Sequence, residues 1–199
     1  LLNLLVLYER GCQESSKNMH NMDSLCLSLL QIWRETDACL RRMTGNCIIC
    51  AMQNLLLTGT NVRLTDMTEA DVIQFYEWFW NSPPERMTCW PVEPMTLEET
   101  LERFRAPAIP NAPKRLAIRR IADDIFVGRI SYFNVNTRNQ SAEIGYLIGP
   151  DFRGKGYASE ALGLLVRYLF EELKMNRIHA QTGAFNTSSI ALLESHGFA

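Results

Sequence analysis

After residue 60 the apolar positions alternate between a period of two and a period near 3.6, and each change falls at a turn or cap signal. Asn61 to Met67 predicts a strand with Val62, Leu64 and Met67 as core candidates. Thr68-Glu-Ala-Asp71 opens a helix, with Thr68 as N-cap and an acid three residues on, and Ser82-Pro83-Pro84 stops it after Asn81. Thr96-Leu-Glu-Glu99 repeats the cap for a helix to Arg105, ahead of Pro107 and Pro110. Three strands follow: Arg115 to Ile121, with core candidates Leu116, Ile118 and Ile121; Ile125 to Asn134; and Ala142 to Ile148. Asp123-Asp124, the polar run from Asn134 to Gln140, and Gly149-Pro150 supply their turns. A long helix from Gly154 to Met175 places Ala158, Ala161, Leu162, Leu165, Leu169 and Leu173 on one face. Arg177 to Thr182 reads as a strand and Asn186 to Ser195 as a last helix. The order β-α-α-β-β-β-α-β-α predicts a mixed α/β sheet rather than a run of parallel βαβ units.

The chain changes character near Met52, which would suit a translation start. Residues 1–53 form an extension of unassigned role, with Leu25, Leu29, Ile32, Trp33, Leu40 and Met43 at near-helical spacing in Ser24 to Met43. A poorly packed extension or a docking helix both fit that pattern. Residues 54–199 form the domain proper.

Composition narrows the function classes. Twenty basic and twenty-two acidic residues give a net charge of −2, so nucleic acid is not the expected partner. No apolar run approaches the roughly 18 residues of a membrane span, and Leu4 to Leu7 is too short for a signal-peptide core. The expectation is a soluble, cytoplasmic protein with no membrane partner. Cys12, Cys26, Cys39, Cys47, Cys50 and Cys89 are then expected to be reduced thiols. Cys47 and Cys50 have redox or half-zinc spacing, but no second pair follows, so no metal is expected.

The chemistry concentrates in Gly149-Pro-Asp-Phe-Arg153-Gly154-Lys155-Gly156-Tyr157-Ala158, between a strand and a helix. Gly149 to Lys155 nearly matches a nucleotide-binding P-loop, but Gly156 stands where Ser or Thr should hold Mg²⁺, and Pro150 removes an N–H donor. The other reading is an anion site on the first turn of the helix. There the backbone N–H groups lack helical partners, two glycines clear the approach, and Arg153 and Lys155 add positive charge. A plain surface turn ahead of a capped helix fits the same residues.

Arg153-x-x-Gly156-x-Ala158, preceded by Glu143-Ile-Gly-Tyr-Leu-Ile148 and Pro150-Asp-Phe, resembles the acyl-CoA signature of the GNAT superfamily of N-acetyltransferases. The chain is most similar to its ribosomal-protein N-acetyltransferase branch. The likeness runs from Leu56 to Phe198 and includes Asp66-x-x-x-Glu-Ala-Asp71, Trp90-Pro-Val-Glu-Pro-Met-Thr-Leu-Glu-Glu99 and Asn186-x-x-Ser189. It implies a mostly antiparallel sheet flanked by helices, with acetyl-CoA held between two splayed strands, Ala142–Ile148 and Arg177–Thr182. Tyr146, Leu147 and Ile148 match the strand that pairs with pantetheine and polarises the thioester. Arg153, Gly154, Lys155, Gly156, Tyr157, Ala158 and Ser159 match the pyrophosphate loop, and Asn186 matches a pantetheine contact. The implied reaction is direct transfer of acetyl to an amine in a ternary complex.

Many relatives carry a glutamate and a tyrosine where this chain has Gln181 and Leu193, and neither of these does acid–base work. Glu143 is the alternative base, and Ser188 or Ser189 the alternative acid. A lysine amine with a pKa near 10.4 costs about 4.6 kcal/mol to deprotonate at pH 7, and an α-amine near 7.8 about 1. A site without a strong base therefore favours an α-amine, that of a peptide or protein N-terminus, over a lysine-like small amine. The resemblance also implies two further strands after Ala199, without which Arg177–Thr182 is expected to be a sheet edge. On that account an inactive acyl-CoA-binding or interaction module is the alternative to an enzyme.

Overall fold

Seven strands form a single sheet, and every adjacent pair is antiparallel except one. The computed structural model describes residues 3–9, 56–81, 93–107 and 112–199. The elements are β1 (Asn3–Glu9), β2 (Leu57–Thr58), β3 (Val62–Asp66), α1 (Glu69–Asn81), α2 (Leu97–Arg105), β4 (Lys114–Arg120), β5 (Phe126–Asn136), β6 (Ser141–Ile148), a 3₁₀ turn (Pro150–Phe152), α3 (Tyr157–Glu171), β7 (Arg177–Gly183) and α4 (Thr187–Ser195). The strand order is β1-β7-β6-β5-β4-β3-β2. The helix expected at 24–43, all six cysteines and Trp90 lie outside the described residues.

Strand alternation sends side chains to two different layers. On one face Leu64, Leu116, Ile118, Ile130, Ile144 and Ile178 pack with Leu162, Leu165 and Leu169 of α3 and Leu193 of α4. On the other face Ala117, Phe126 and Leu147 meet Phe75, Trp78 and Phe79 of α1. Both expected caps form. Asp71 accepts from the Thr68 N–H and hydroxyl and returns its own N–H to the Thr68 hydroxyl. Thr96 and Glu99 close a full capping box on α2.

Three expectations are corrected. The long helix begins at Tyr157, not Gly154, because Gly154 and Gly156 both take positive φ, +72° and +80°. It ends at Glu171, short of Met175, where Lys174 turns into the left-handed region at φ +55°. Ile121 is exposed beyond the end of β4, not in the core. Finally, β7 is not a sheet edge: β1 pairs with it antiparallel over its whole length, from Asn3 opposite Gly183 to Glu9 opposite Arg177. The sequence reading assigned no strand to residues 3–9.

Candidate active site

The sheet opens at its centre. β6 and β7 run parallel and pair from Ser141/Arg177 to Ile144/Ala180, and there the pairing stops. The residues of β6 beyond that point, Gly145, Tyr146 and Leu147, are half-exposed, whereas Ala142, Glu143 and Ile144 are buried. A central strand with unpaired backbone N–H and C=O groups offers a ligand the hydrogen bonds a neighbouring strand would otherwise take. Asn186 and Ser189 sit at the start of α4, which follows β7. The Asn186 carboxamide caps α4 by accepting the Ser189 N–H at 3.2 Å. The Tyr146 hydroxyl lies 2.9 Å from Ser189 Oγ and so ties β6 to α4. Burial pushes the Tyr146 hydroxyl above the usual phenol range, with the Ser189 hydrogen bond opposing it.

Beyond Ile148 the chain makes its 3₁₀ turn and enters α3. The helical ladder starts with the Glu160 N–H on the Gly156 carbonyl, so the N–H groups of Tyr157, Ala158 and Ser159 precede it. A Cβ added at Gly154 or Gly156 would meet nothing within 4 Å, so the loop leaves open space before the helix terminus. Arg153 donates Nε–H to the Ile148 carbonyl at 3.1 Å, and Lys155 donates to the Asp151 carbonyl at 2.8 Å. Both cations thus stay at the mouth of the loop. The start of α3 is anchored from behind. Glu160 accepts the N–H groups of Thr60, Asn61 and Val62 and the Asn61 side-chain amide, which pins the helix to the β2–β3 turn. His196, just after α4, places Nε2 2.9 Å from the Ser159 carbonyl and Nδ1 3.0 Å from that of Leu192.

Glu143 lies in the paired part of β6, on the sheet face covered by α1 and α2. It is buried, accepts from the Asn134 side-chain amide at 2.8 Å, and stands 3.5 Å from Nε2 of His179 across the β6–β7 pair. The sequence reading did not single out His179; it emerges only when two strands distant in sequence are set side by side. Ser188 is exposed, Gln181 is half-buried on β7, and Leu193 is core. The structure therefore gathers Tyr146, Asn186 and Ser189 on one side of the opening and Glu143 with His179 on the other.

The face bearing Glu143 continues into a cavity of about 660 Å³ beneath α1 and α2, lined by Phe75, Phe79, Trp80 and Phe104 together with arginines of α2, β4 and β5. Arg129 of β5 pairs across the sheet with Leu147 of β6, so the cavity floor lies one strand from the opening.

A sheet that parts beside a glycine-opened helix terminus offers an elongated ligand unpaired strand backbone and an anion free helix N–H groups. Residues 61–199 match the acetyltransferase (GNAT) domain model, and the chain belongs to that family. It is 31% identical over 151 residues to the "Uncharacterized N-acetyltransferase p20" of Bacillus licheniformis, covering 74% of this chain and 83% of that one. It is 41% identical over 76 residues to the "Putative ribosomal N-acetyltransferase YdaF" of Bacillus subtilis, 38% of this chain and 42% of the relative. In fold it is similar to the spermidine N-acetyltransferase of Vibrio cholerae, with a TM-score of 0.61 at 23% identity over 71% of this chain and 81% of the other. The protein is an acetyl-CoA-dependent N-acyltransferase.

Proposed function

We propose that the chain transfers the acetyl group of acetyl-CoA to the α-amine of a peptide or protein N-terminus, directly and within a ternary complex. The observation that carries this reading is the parting of β6 from β7 after Ile144, beside the open first turn of α3. The pyrophosphate takes the N–H groups of Tyr157, Ala158 and Ser159 in the space left by Gly154 and Gly156, with Arg153 and Lys155 at its rim. The pantetheine arm follows the free backbone edge of Tyr146, Leu147 and Ile148 toward Asn186. A backbone N–H of that edge polarises the thioester carbonyl.

The amine attacks from the opposite face, beneath α1 and α2. A C–N bond forms, the C–S bond breaks, and the thiolate leaves. Ser189, backed by the Tyr146 hydroxyl, supplies the thiolate's proton, and Glu143, paired with His179, takes the proton lost by the amine. A protein acceptor is supported by the name of the ribosomal relative and by the modest cost of deprotonating an α-amine. Initial rates with paired peptides, one offering only an α-amine and one only a lysine amine, test the acceptor. The α-amine peptide is expected to win by tenfold or more, and a lysine preference would sink the reading. Calorimetric titration with acetyl-CoA, with ATP–Mg²⁺ as control, tests the pocket separately.

A further inference from the structure

The cavity under α1 and α2 combines aromatic walls with an excess of positive charge. Arg103 of α2, Arg115 of β4 and Arg129 of β5 line it, and among the described residues Glu93 is the one acid in the lining. Arg115 pairs with Ser131 and Arg129 with Ala117, so the two arginines are diagonal neighbours on one sheet face. The Arg129 guanidinium carbon lies 3.7 Å from the centroid of the Phe75 ring. That stacking fixes the guanidinium plane and leaves its N–H edge free to donate. Among the described residues neither the Arg115 nor the Arg129 side chain has a carboxylate within ion-pair distance or makes a hydrogen bond. Burial, and then the neighbouring Arg115, push Arg129 down to about 9, and burial and then Arg103 lower Arg115.

Arg129, shielded from solvent and stacked on Phe75, is costly to keep charged beside Arg115, and an anionic ligand relieves that cost. The charge also opposes a polyamine, whose ammonium groups would meet three arginines. We infer that this cavity selects an acceptor bearing a carboxylate close to its reactive amine, namely a peptide whose first residues are acidic. Its amine reaches the opening of β6 while its carboxylates fork onto Arg115 and Arg129, with Arg103 at the entrance and Phe75 and Trp80 against the intervening chain. The inference rests on the peptide acceptor proposed above and deepens it.

The same carboxylate chemistry comes from an acidic side chain or from the α-carboxylate of a free amino acid, and the test separates them. The probes are a C-terminally amidated hexapeptide with aspartate at its second and third positions, its asparagine and lysine counterparts, free aspartate, and spermidine. Binding is titrated calorimetrically in the presence of CoA, which cannot react, and kcat/KM is measured with acetyl-CoA. The aspartate peptide is expected to bind at least tenfold more tightly than the asparagine peptide. That preference should fall below threefold in Arg115→Gln and in Arg129→Gln, mainly through KM. Arg115 and Arg103 are exposed, so Arg115→Gln and Arg103→Gln serve should Arg129→Gln fail to fold. Equal binding of the aspartate and asparagine peptides overturns the inference and leaves peptide acetylation standing. Preference for spermidine or the lysine peptide overturns it as well, and spermidine alone also sinks the peptide acceptor. Free aspartate preferred over every peptide, with the same dependence on Arg115, overturns the peptide form and assigns the anion to the α-carboxylate.

Discussion

Replacing Gly156 by aspartate separates the stability of the fold from the binding of the cofactor. Gly156 is the N-cap of α3 at φ +80°, and a Cβ there meets nothing within 4 Å. Left-handed backbone costs a non-glycine residue about 1–2 kcal/mol, while aspartate in place of glycine at an N-cap returns only a few tenths. The melting temperature should therefore fall by only about 2–6 °C, and the variant should stay folded. The ligand side is different. A carboxylate at the N-cap takes an N–H two or three residues on, at Ala158 or Ser159, and a charge-assisted bond from such a donor to pyrophosphate is worth about 1.5–3 kcal/mol. It also sets a negative charge beside the phosphates, worth about 4 kcal/mol of repulsion at 4 Å and an effective dielectric of about 20. Even half of that sum weakens binding by about a hundredfold. Calorimetric titration with acetyl-CoA measures the change, and Gly156→Ala controls for backbone strain without the charge. A well-folded aspartate variant that binds acetyl-CoA as tightly as the parent would refute the placement of the pyrophosphate.

Three further outcomes follow from the packing. Glu160 is lowered below the usual carboxylate range: burial would raise it, but the hydrogen bonds from Asn61, Val62 and Thr60 outweigh that. Its contribution to stability is full above the unfolded value near 4.5 and is lost as pH falls through the folded value. The melting gap between wild type and Glu160→Gln should therefore be present at pH 7 and close in acid, and a gap independent of pH would contradict this. Asp71 pairs with Arg119 and both are largely buried, so Asp71→Ala leaves the guanidinium only Thr65 and the exposed Asp124, opens the Thr68 cap, and should cost about 3 kcal/mol in urea unfolding. The double variant Asp71→Leu/Arg119→Met should recover part of that loss, because the cap between Thr68 and Asp71 stays broken. A Cβ at Gly149 would lie 2.7 Å from the Trp78 ring, which is stacked on Phe126 with centroids 5.2 Å apart. Gly149→Ala should cost about 1–3 kcal/mol by overpacking and shift the tryptophan fluorescence.

The legible parts of this fold are those whose physics is local. The capping pairs Thr68/Asp71 and Thr96/Glu99 lie three residues apart, and each starts a helix within a residue of its expected position. The alternation in β3 and β4 named Val62, Leu64, Leu116 and Ile118 as inward without reference to any partner strand. What stayed hidden depends on distant pairing. Asn-Leu-Leu-Val-Leu-Tyr-Glu is a short apolar run whose partner is β7, near the far end of the sequence, and nothing near it signals a strand. Glycine spacing pointed to the anion loop, but the backbone at Gly154 and Gly156 delays the helix to Tyr157. Arg115 and Arg129 carry no signal of their own in the sequence, and only α1 and α2 laid over that face turn them into cavity walls.

In the reaction proposed above, the division of the sheet into two faces gives β6 its place between cofactor and acceptor. Ile144 and Ile148 point to the α3 and α4 side with Tyr146 between them, and Tyr146 reaches Ser189 there. Glu143 and Leu147 point to the α1 and α2 side with Gly145 between them, and Arg129 stands opposite Leu147. Gly145 has no side chain, so on the proposed acceptor side the nearest cover over β6 there is the Phe133 ring, 3.4 Å from where a Cβ would stand. A thioester laid along that backbone from one face is open to an amine arriving on the other. On this geometry a side chain at Gly145 obstructs the amine more than the cofactor. Gly145→Val should therefore leave the calorimetric affinity for acetyl-CoA within threefold while lowering kcat/KM for the acceptor at least tenfold. Loss of both together, in a folded variant, would place cofactor and acceptor on the same face and remove the basis for the assignment.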